Sequence, residues 1–293
     1  MAAGIVGERW KVPMAKHTTW RCGGAADCVF APSSLDDLSS YLAGLSEDVP
    51  LTWLGRGSNV LVRDGGMRGV VIQLCEPLSE IVLEPPRVRA LGGALCARLA
   101  MLTAAAGFGG LEFLAGIPGT VGGALAMNAG AAGSELWDFV ESVETVDRQG
   151  VRHEFTSGQI KVGYRFAEIP AGHGVVAGTF RLEAAEDPAQ PERRLRELMD
   201  HRRTTQPVSQ PSGGSVFRNP PGGHAARLIE EAGLKGCRVG GAEVSRTHAN
   251  FIVHEGAASA ADIERLIEHV RDAVEQHSGV RLELEVRILG EVA

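Results

Sequence analysis

The sequence predicts a mixed protein, α+β or α/β, in two modules, on three observations. Short apolar strands alternate with amphipathic helices along the whole chain. No segment recurs at a fixed period, which sets aside repeat architectures. The charged segment EAAEDPAQPERR carries two prolines and marks a boundary near residues 184–192. A chain of 293 residues fits two domains of ordinary size.

The elements follow in order. Residues 28–31 read as a short strand, and Pro32-Ser33-Ser34 as a turn that caps a helix running to about Leu45. Residues 51–54 and 70–74 are apolar strands, joined by GRGSNVLVRDGGMRG, whose glycine pairs mark tight turns. Residues 95–106 form an alanine-rich helix with Leu95, Leu99 and Leu102 on one stripe, ending at Gly107. Residues 142–147 and 151–155 make a hairpin about Arg148-Gln149-Gly150. VGYRF and a strand over 175–182 complete the first module. A polar helix runs from Glu192 to about Arg203, and residues 206–224 are loop. A helix over 225–232 stops at Gly233. Ser259 with Asp262 opens a capping box, and Ile263, Leu266, Ile267, Val270 and Val274 form the stripe of a helix stopped by Gly279. Residues 281–289 alternate, with Leu282, Leu284, Val286 and Ile288 on the core face.

The glycine-rich stretch over 107–133, GFGGLEFLAGIPGTVGGALAMNAGAAG, has Glu112 as its only charge. It is too apolar for a solvated linker and too rich in glycine for one long helix. Such a stretch suits backbone that approaches a bulky ligand closely or takes positive φ.

Composition excludes several classes. A net charge of −7 and a pI near 5.8 argue against a nucleic-acid partner. No apolar run reaches the roughly 20 residues of a membrane span, and the first residues lack the apolar centre of a secretory signal. Five scattered cysteines without a CxxC read as reduced packing residues of a cytoplasmic protein. The nine histidines include no HExxH, and no metal is expected.

Several motifs each have two readings. GRGSN (Gly55, Arg56, Gly57, Ser58, Asn59) follows a strand, but Val60 occupies the third glycine position, so a Rossmann fingerprint fails. It is either an anion nest or a plain hairpin turn. GIPGTVGG lacks the Gly-Lys-Ser/Thr of a Walker loop. It either directs helix N–H groups near Thr120 at a ligand or lets a helix pack closely on a sheet. Two such loops in one module favour a large nucleotide cofactor such as FAD. Arg165, alone in GYRF, reads as an ordinary surface residue, and Ser215 in GGSVFRNP as a turn serine, since GxSxG is absent. Glu285 and Arg287 share a strand face with Arg281 and Glu283, a solvated face unless protein covers it.

Taken together, the blocks TTWRCGG, LGRGSNVLVRDGG, LAGIPGTVGGALAMNAGA, GYRF, PSGGSVFRNP, AGLKG with VGGAEVSRTHANFIV, and LELEVRILG resemble one family, the UDP-N-acetylenolpyruvoylglucosamine reductases. They occur in order over residues 17–290. The resemblance implies an α+β fold: a two-subdomain FAD-binding module of the PCMH type over residues 1–188, and a C-terminal substrate domain over 189–293. The absence of an insertion between GYRF and GGSVFRNP matches the shorter family form.

The resemblance also implies roles. Ser215 corresponds to the general acid, and Arg165 with Glu285 to the pair that polarises the enolpyruvyl group. Asn219 and Arg287 match substrate contacts. Gly55, Arg56, Gly57, Ser58 and Asn59, with Ile117, Pro118, Gly119, Thr120, Gly122 and Gly123, match the loops that hold FAD non-covalently. NADPH is the implied co-substrate and a UDP-sugar enolpyruvyl ether the substrate, in peptidoglycan precursor synthesis. Hydride delivery to the vinyl CH2 carbon develops enolate charge, which calls for a fixed cation and a proton donor. Glu285 would orient that network, or give a proton if burial raises its pKa.

The chain departs from the family at Thr205 in HRRTTQP, where many relatives carry a lysine near the phosphates. Arg202 or Arg203 is the expected substitute. The rivals are an FAD oxidase or dehydrogenase of the same fold, which would not require GGSVFRNP and LEVR, and a non-catalytic nucleotide-sugar binder, which would stay colourless with FAD. The sequence sets no oligomeric state, and a monomer is a plausible one.

Overall fold

The computed structural model describes residues 7–256 and 258–293. Contacts group the chain into two units that are not contiguous in sequence, in contrast to a single cut at 188/189. The first takes residues up to Arg9, then Cys28–Arg56 and Gly69–His201; the second takes Trp10–Asp27, Gly57–Arg68 and Arg202–Ala293.

The first unit is built on a five-stranded antiparallel sheet. Its strands run Arg152–Thr156, Val140–Val146, Gly174–Arg181, Arg87–Leu91 and Ile81–Glu84 in spatial order. Period two sends Val88 and Ala90 into one core and Leu91 into another. The first core is shared with helices α2 (Cys96–Ala105) and α3 (Val121–Ala126). The second is shared with helix α1 (Leu35–Gly44) and with the parallel strands Leu51–Leu54 and Met67–Gln73. Ser34 caps α1 as expected, its Oγ accepting from the Asp37 N–H at 3.0 Å. The expected hairpin is present, and Asp147 closes its loop by accepting from the Gln149 and Val151 N–H groups on Oδ1, each at 2.9 Å. Asp147, His153 and His173 gather there with ligand-type atoms within 4.8 Å. His153 Nε2 bonds Asp147 Oδ2 at 2.7 Å, and His173 Nδ1 bonds Thr145 Oγ1 at 2.9 Å.

The glycine-rich stretch breaks into pieces, as its composition required. Strand Phe108–Gly109, a 3-10 turn Glu112–Gly116, α3 and strand Gly130–Ala131 follow one another. Its one carboxylate is buried and used, since Glu112 Oε2 accepts from the Gly110 N–H at 2.7 Å. The α2 stripe needs correction. Leu95 is 39% exposed and precedes the helix, whereas Cys96, Leu99, Ala100, Thr103 and Ala104 form the buried face. Small residues won that face because they let the helix lie closer to its neighbours.

In the second unit, α4 (Gln190–Thr205) contributes its last turn, starting earlier than the polar segment suggested. Helices α5 (Ala225–Glu231) and α6 (Ala260–Ser278) follow. α6 has the expected capping box at Ser259 and Asp262, and Gly279 ends it at φ 73°. Its stripe packs with Trp20, Leu61, Ala225, Ile229 and Phe217. The early segment Gly57–Arg68 is tied to this helix by charge. Arg63 Nε and Nη2 grip Glu264 at 3.0 and 2.6 Å, and the Asp64 carboxylate accepts from the Ala260 and Ala261 N–H groups at 3.0 and 2.9 Å. Val60–Val62 pairs in parallel with Arg287–Leu289.

Of the expected strand over 281–289 only Arg287–Leu289 forms a ladder, with Leu284 making a single bridge to Phe217. Leu282 and Val286 are buried, so the core face was read correctly. All five cysteines are free thiols, and burial pushes Cys22 and Cys96 up to about 12. No described helix is long and apolar enough to cross a membrane.

Candidate active site

The two glycine loops meet in the first unit at Gly55 and Thr120. A Cβ on Gly55 would stand 2.2 Å from Thr120 Oγ1, so only glycine allows the approach. The Thr120 hydroxyl is buried and has no hydrogen-bond partner among the described residues. Beside it Gly123 presents bare backbone, its nearest neighbour to a Cβ being the same oxygen at 3.7 Å. An unsatisfied buried hydroxyl between glycine loops fits a polar ligand atom.

The expected role of the α3 N-terminus changes. The Val121 and Gly122 N–H groups donate to the Ala94 and Gly92 carbonyls, each at 2.8 Å, so neither is spare for a phosphate. A Cβ on Gly122 would lie 2.8 Å from the Val175 carbonyl oxygen and 3.0 Å from that of Gly92. Gly122 is therefore a packing glycine, the second of the two readings above. Gly122→Ala is expected to lower stability by about 1–3 kcal/mol through overpacking against rigid backbone. Urea unfolding checks this, and flavin content should fall in the same sample. Gly119 accepts from the Cys96 N–H at 3.1 Å, which fixes the loop ahead of α3. Ile117 is partly buried against the first-unit core, and Pro118 is exposed.

Arg165 is also in the first unit, in the loop between the short strands Val162–Gly163 and Phe166–Ala167. It takes φ 55°, a left-handed conformation that costs a side-chain-bearing residue roughly 1–2 kcal/mol. Strain of this kind gathers at functional sites. The side chain is only 15% exposed, contrary to an ordinary surface arginine. Nη2 donates to the Gly130 carbonyl at 2.7 Å, and the Tyr164 ring lies 4.9 Å from Cζ.

The other candidates lie in the second unit, where backbone bonds gather them. Gly57 stands at φ 64°, and a Cβ there would be 2.3 Å from the His17 carbonyl oxygen. Asn59 donates from Nδ2 to the Glu285 carbonyl at 3.0 Å and accepts the Arg287 N–H at 3.0 Å. Ser58, partly buried, comes with it, while Arg56, exposed, belongs to the first unit.

Ser215 is partly buried and adjoins Val216, whose carbonyl accepts the Glu285 N–H at 2.8 Å. Next along, Phe217 bridges Leu284, and the Arg218 N–H donates to Glu283 at 2.9 Å. This antiparallel run brings the Ser215 and Glu285 segments side by side. On the Glu285 face, Arg281, Glu283 and Arg287 are exposed, but Glu285 itself is partly buried. Asn219 Oδ1 accepts from the Ala225 N–H at 3.0 Å and so anchors the start of α5.

Three positions that hold the candidate residues in place were not found from the sequence. Asn250 holds the serine segment: its backbone oxygen accepts from the Val216 N–H, its Oδ1 from the Phe217 N–H at 3.0 Å, and its Nδ2 donates to the Phe217 carbonyl at 2.8 Å. Asn128 and Glu135 surround Arg165. Asparagine's tolerance of positive φ was the one available signal for Asn128, which sits at φ 47°.

Comparison with known proteins places the whole chain in one family. The profile described as "UDP-N-acetylenolpyruvoylglucosamine reductase, C-terminal domain" matches residues 206–289, and that described as "FAD binding domain" matches residues 26–156. A UDP-N-acetylenolpyruvoylglucosamine reductase of Alkalilimnicola ehrlichii is 52% identical, with 97% of this chain and 95% of that protein covered. One of Methylococcus capsulatus is also 52% identical, covering 95% and 92%. The crystal structure of UDP-N-acetylenolpyruvylglucosamine reductase from Thermus caldophilus matches 96% of this chain and 97% of its own, with a TM-score of 0.83 at 35% identity. With such identity over nearly its full length, and with an FAD-binding domain joined to the family's own C-terminal domain, the chain belongs to the UDP-N-acetylenolpyruvoylglucosamine reductase family of FAD-dependent oxidoreductases.

Proposed function

We propose that the protein uses NADPH to reduce the enolpyruvyl ether of a UDP-sugar, with Ser215 as proton donor and Arg165 and Glu285 as its electrostatic partners, in the making of peptidoglycan precursors. The observation that carries the reading is the antiparallel run that holds the Ser215 and Glu285 backbone segments side by side, with the Glu285 N–H bonded to the carbonyl of Val216. FAD, when bound, would supply the hydride chemistry that links NADPH to the vinyl carbon. Gly55, Gly57, Ser58, Asn59, Thr120 and Gly123 are the residues that would hold it.

The protein's own share is electrostatics and proton delivery. Arg165 presents a fixed cation to the enolate charge that develops on the substrate. A serine hydroxyl is a weak acid, but an enolate is basic enough to take its proton. Glu285 orients that hydroxyl. Asn219 and Arg287 contact the sugar nucleotide.

Arg202 is the stand-in for the lysine that Thr205 replaces. Burial pulls its guanidinium below the usual arginine range, because a partly desolvated cation loses hydration. Arg202→Ala is expected to raise KM for the sugar nucleotide about tenfold with kcat little changed, the mark of lost uniform binding. Steady-state kinetics in both substrates check it.

The whole reading is tested by absorbance in two stages. The purified protein should be yellow, bleach with NADPH, and regain colour on addition of the enolpyruvyl sugar nucleotide. Bleaching without substrate-dependent recovery would sink it.

A further inference from the structure

Two short hairpins close around the Arg165 guanidinium, and both bring more than backbone. In one, Gly130–Ala131 pairs with Ser134–Glu135. Its loop residues Ala132 and Gly133 have φ 53° and 85°, as a type I′ turn requires. That register puts Glu135 opposite Gly130. Glu135 Oε1 then lies 3.7 Å from Arg165 Nη1, while the Gly130 carbonyl takes Nη2 at 2.7 Å. The guanidinium is thus held at two of its corners. A Cβ on Gly130 would come within 2.9 Å of Nη1, so this position must stay bare.

Asn128 ties the two hairpins together. It is 2% exposed. Its Nδ2 donates to Glu135 Oε2 at 2.8 Å and to the Gly163 carbonyl, at the foot of the Arg165 loop, at 3.0 Å. Its Oδ1 accepts from the Trp137 N–H at 3.2 Å. Its amide nitrogen is therefore spent on Glu135 and the Arg165 loop, and its amide oxygen on the backbone of Trp137.

We infer that Glu135, aligned by Asn128, is a positioning residue for the reaction, fixing the direction in which Arg165 meets the developing anion. The inference rests on the reading of Arg165 as that cation. Glu135 has two opposing effects. Its charge weakens the field of Arg165 at an anion, and its contact removes the freedom of a long side chain. Position outweighs field, because a catalytic group misplaced by about 1 Å can cost about 100-fold in rate.

The test follows both half-reactions of the FAD-loaded enzyme by rapid mixing, in Glu135→Ala, Glu135→Gln and Arg165→Lys. In Glu135→Ala, flavin reduction by NADPH stays within about two-fold, while reoxidation by the enolpyruvyl sugar nucleotide slows about 10- to 100-fold. Glu135→Gln keeps an acceptor oxygen for Nη1 without leaving a cavity, and falls between parent and alanine. Reoxidation of Glu135→Ala at or above the parental rate overturns the inference, and so does equal slowing of both half-reactions, the sign of a merely structural role. Arg165→Lys separates the two levels. Slowed reoxidation there with none in Glu135→Ala defeats the inference alone, whereas parental reoxidation in Arg165→Lys defeats the reading of Arg165 itself.

Discussion

Enzyme carrying Ser215→Ala is expected to take electrons from NADPH at a nearly parental rate and to pass them to the enolpyruvyl sugar nucleotide about 10²- to 10⁴-fold more slowly. The range is what a positioned general acid contributes. The substitution removes one oxygen from a partly buried side chain. It leaves the local backbone held by the Val216 bonds to Asn250 and Glu285, and by Gly213, where a Cβ would strike the Trp20 ring at 2.5 Å. Structural loss is therefore small, and the two half-reactions should separate. Rapid-mixing absorbance measures each one. Equal slowing of both would falsify the role given to Ser215.

A larger structural effect is expected from Asn250→Ala. The substitution strips partners from both the N–H and the carbonyl of Phe217, a residue 2% exposed. Each buried group left unsatisfied costs about 1–3 kcal/mol, so a loss of about 2–6 kcal/mol in unfolding free energy follows. Urea denaturation of the FAD-loaded protein measures it. Ser215 and Glu285 both hang on the Val216–Phe217 backbone, so reoxidation by substrate should slow as well, in a variant that touches neither residue. Stability within about 0.5 kcal/mol of the parent would show that the side chain does not support this segment.

What the sequence disclosed was mostly local. The capping box of α6, its apolar stripe and the Gly279 stop depend on residues a few positions apart, and they stand as read. The α1 cap and the Asp147 hairpin are local in the same way. The grip of Arg63 and Asp64 on α6 spans about 200 residues, and no periodicity reports it. The site divides similarly. Nothing in the residue types of Arg165, Ser215 or Glu285 distinguished them from a surface arginine, a turn serine and a solvated strand face; only the ordered motifs did. Asn128, Glu135 and Asn250 stayed hidden because their partners are backbone groups or side chains placed by turns. The α3 N-terminus misled for a related reason, since the carbonyls of Gly92 and Ala94 that consume its N–H groups precede it by a whole helix.

The interleaving of the second unit bears on how the protein is made. Trp20, wholly buried in that unit, gives its indole N–H to the carbonyl of Ile252, 232 residues further along. At ribosomal speeds of 5–20 residues per second, the acceptor emerges roughly 10–50 s after the donor. Throughout that interval Trp20, Cys22 and Leu61 have been synthesised while most of their packing partners have not. The nascent chain thus carries apolar segments in search of cover, and the C-terminal stretch alone would lack a tryptophan from its own core. Expression of residues 202–293 by themselves is accordingly a poor route to a folded substrate domain, whereas co-expression with the earlier segments restores what the core is missing.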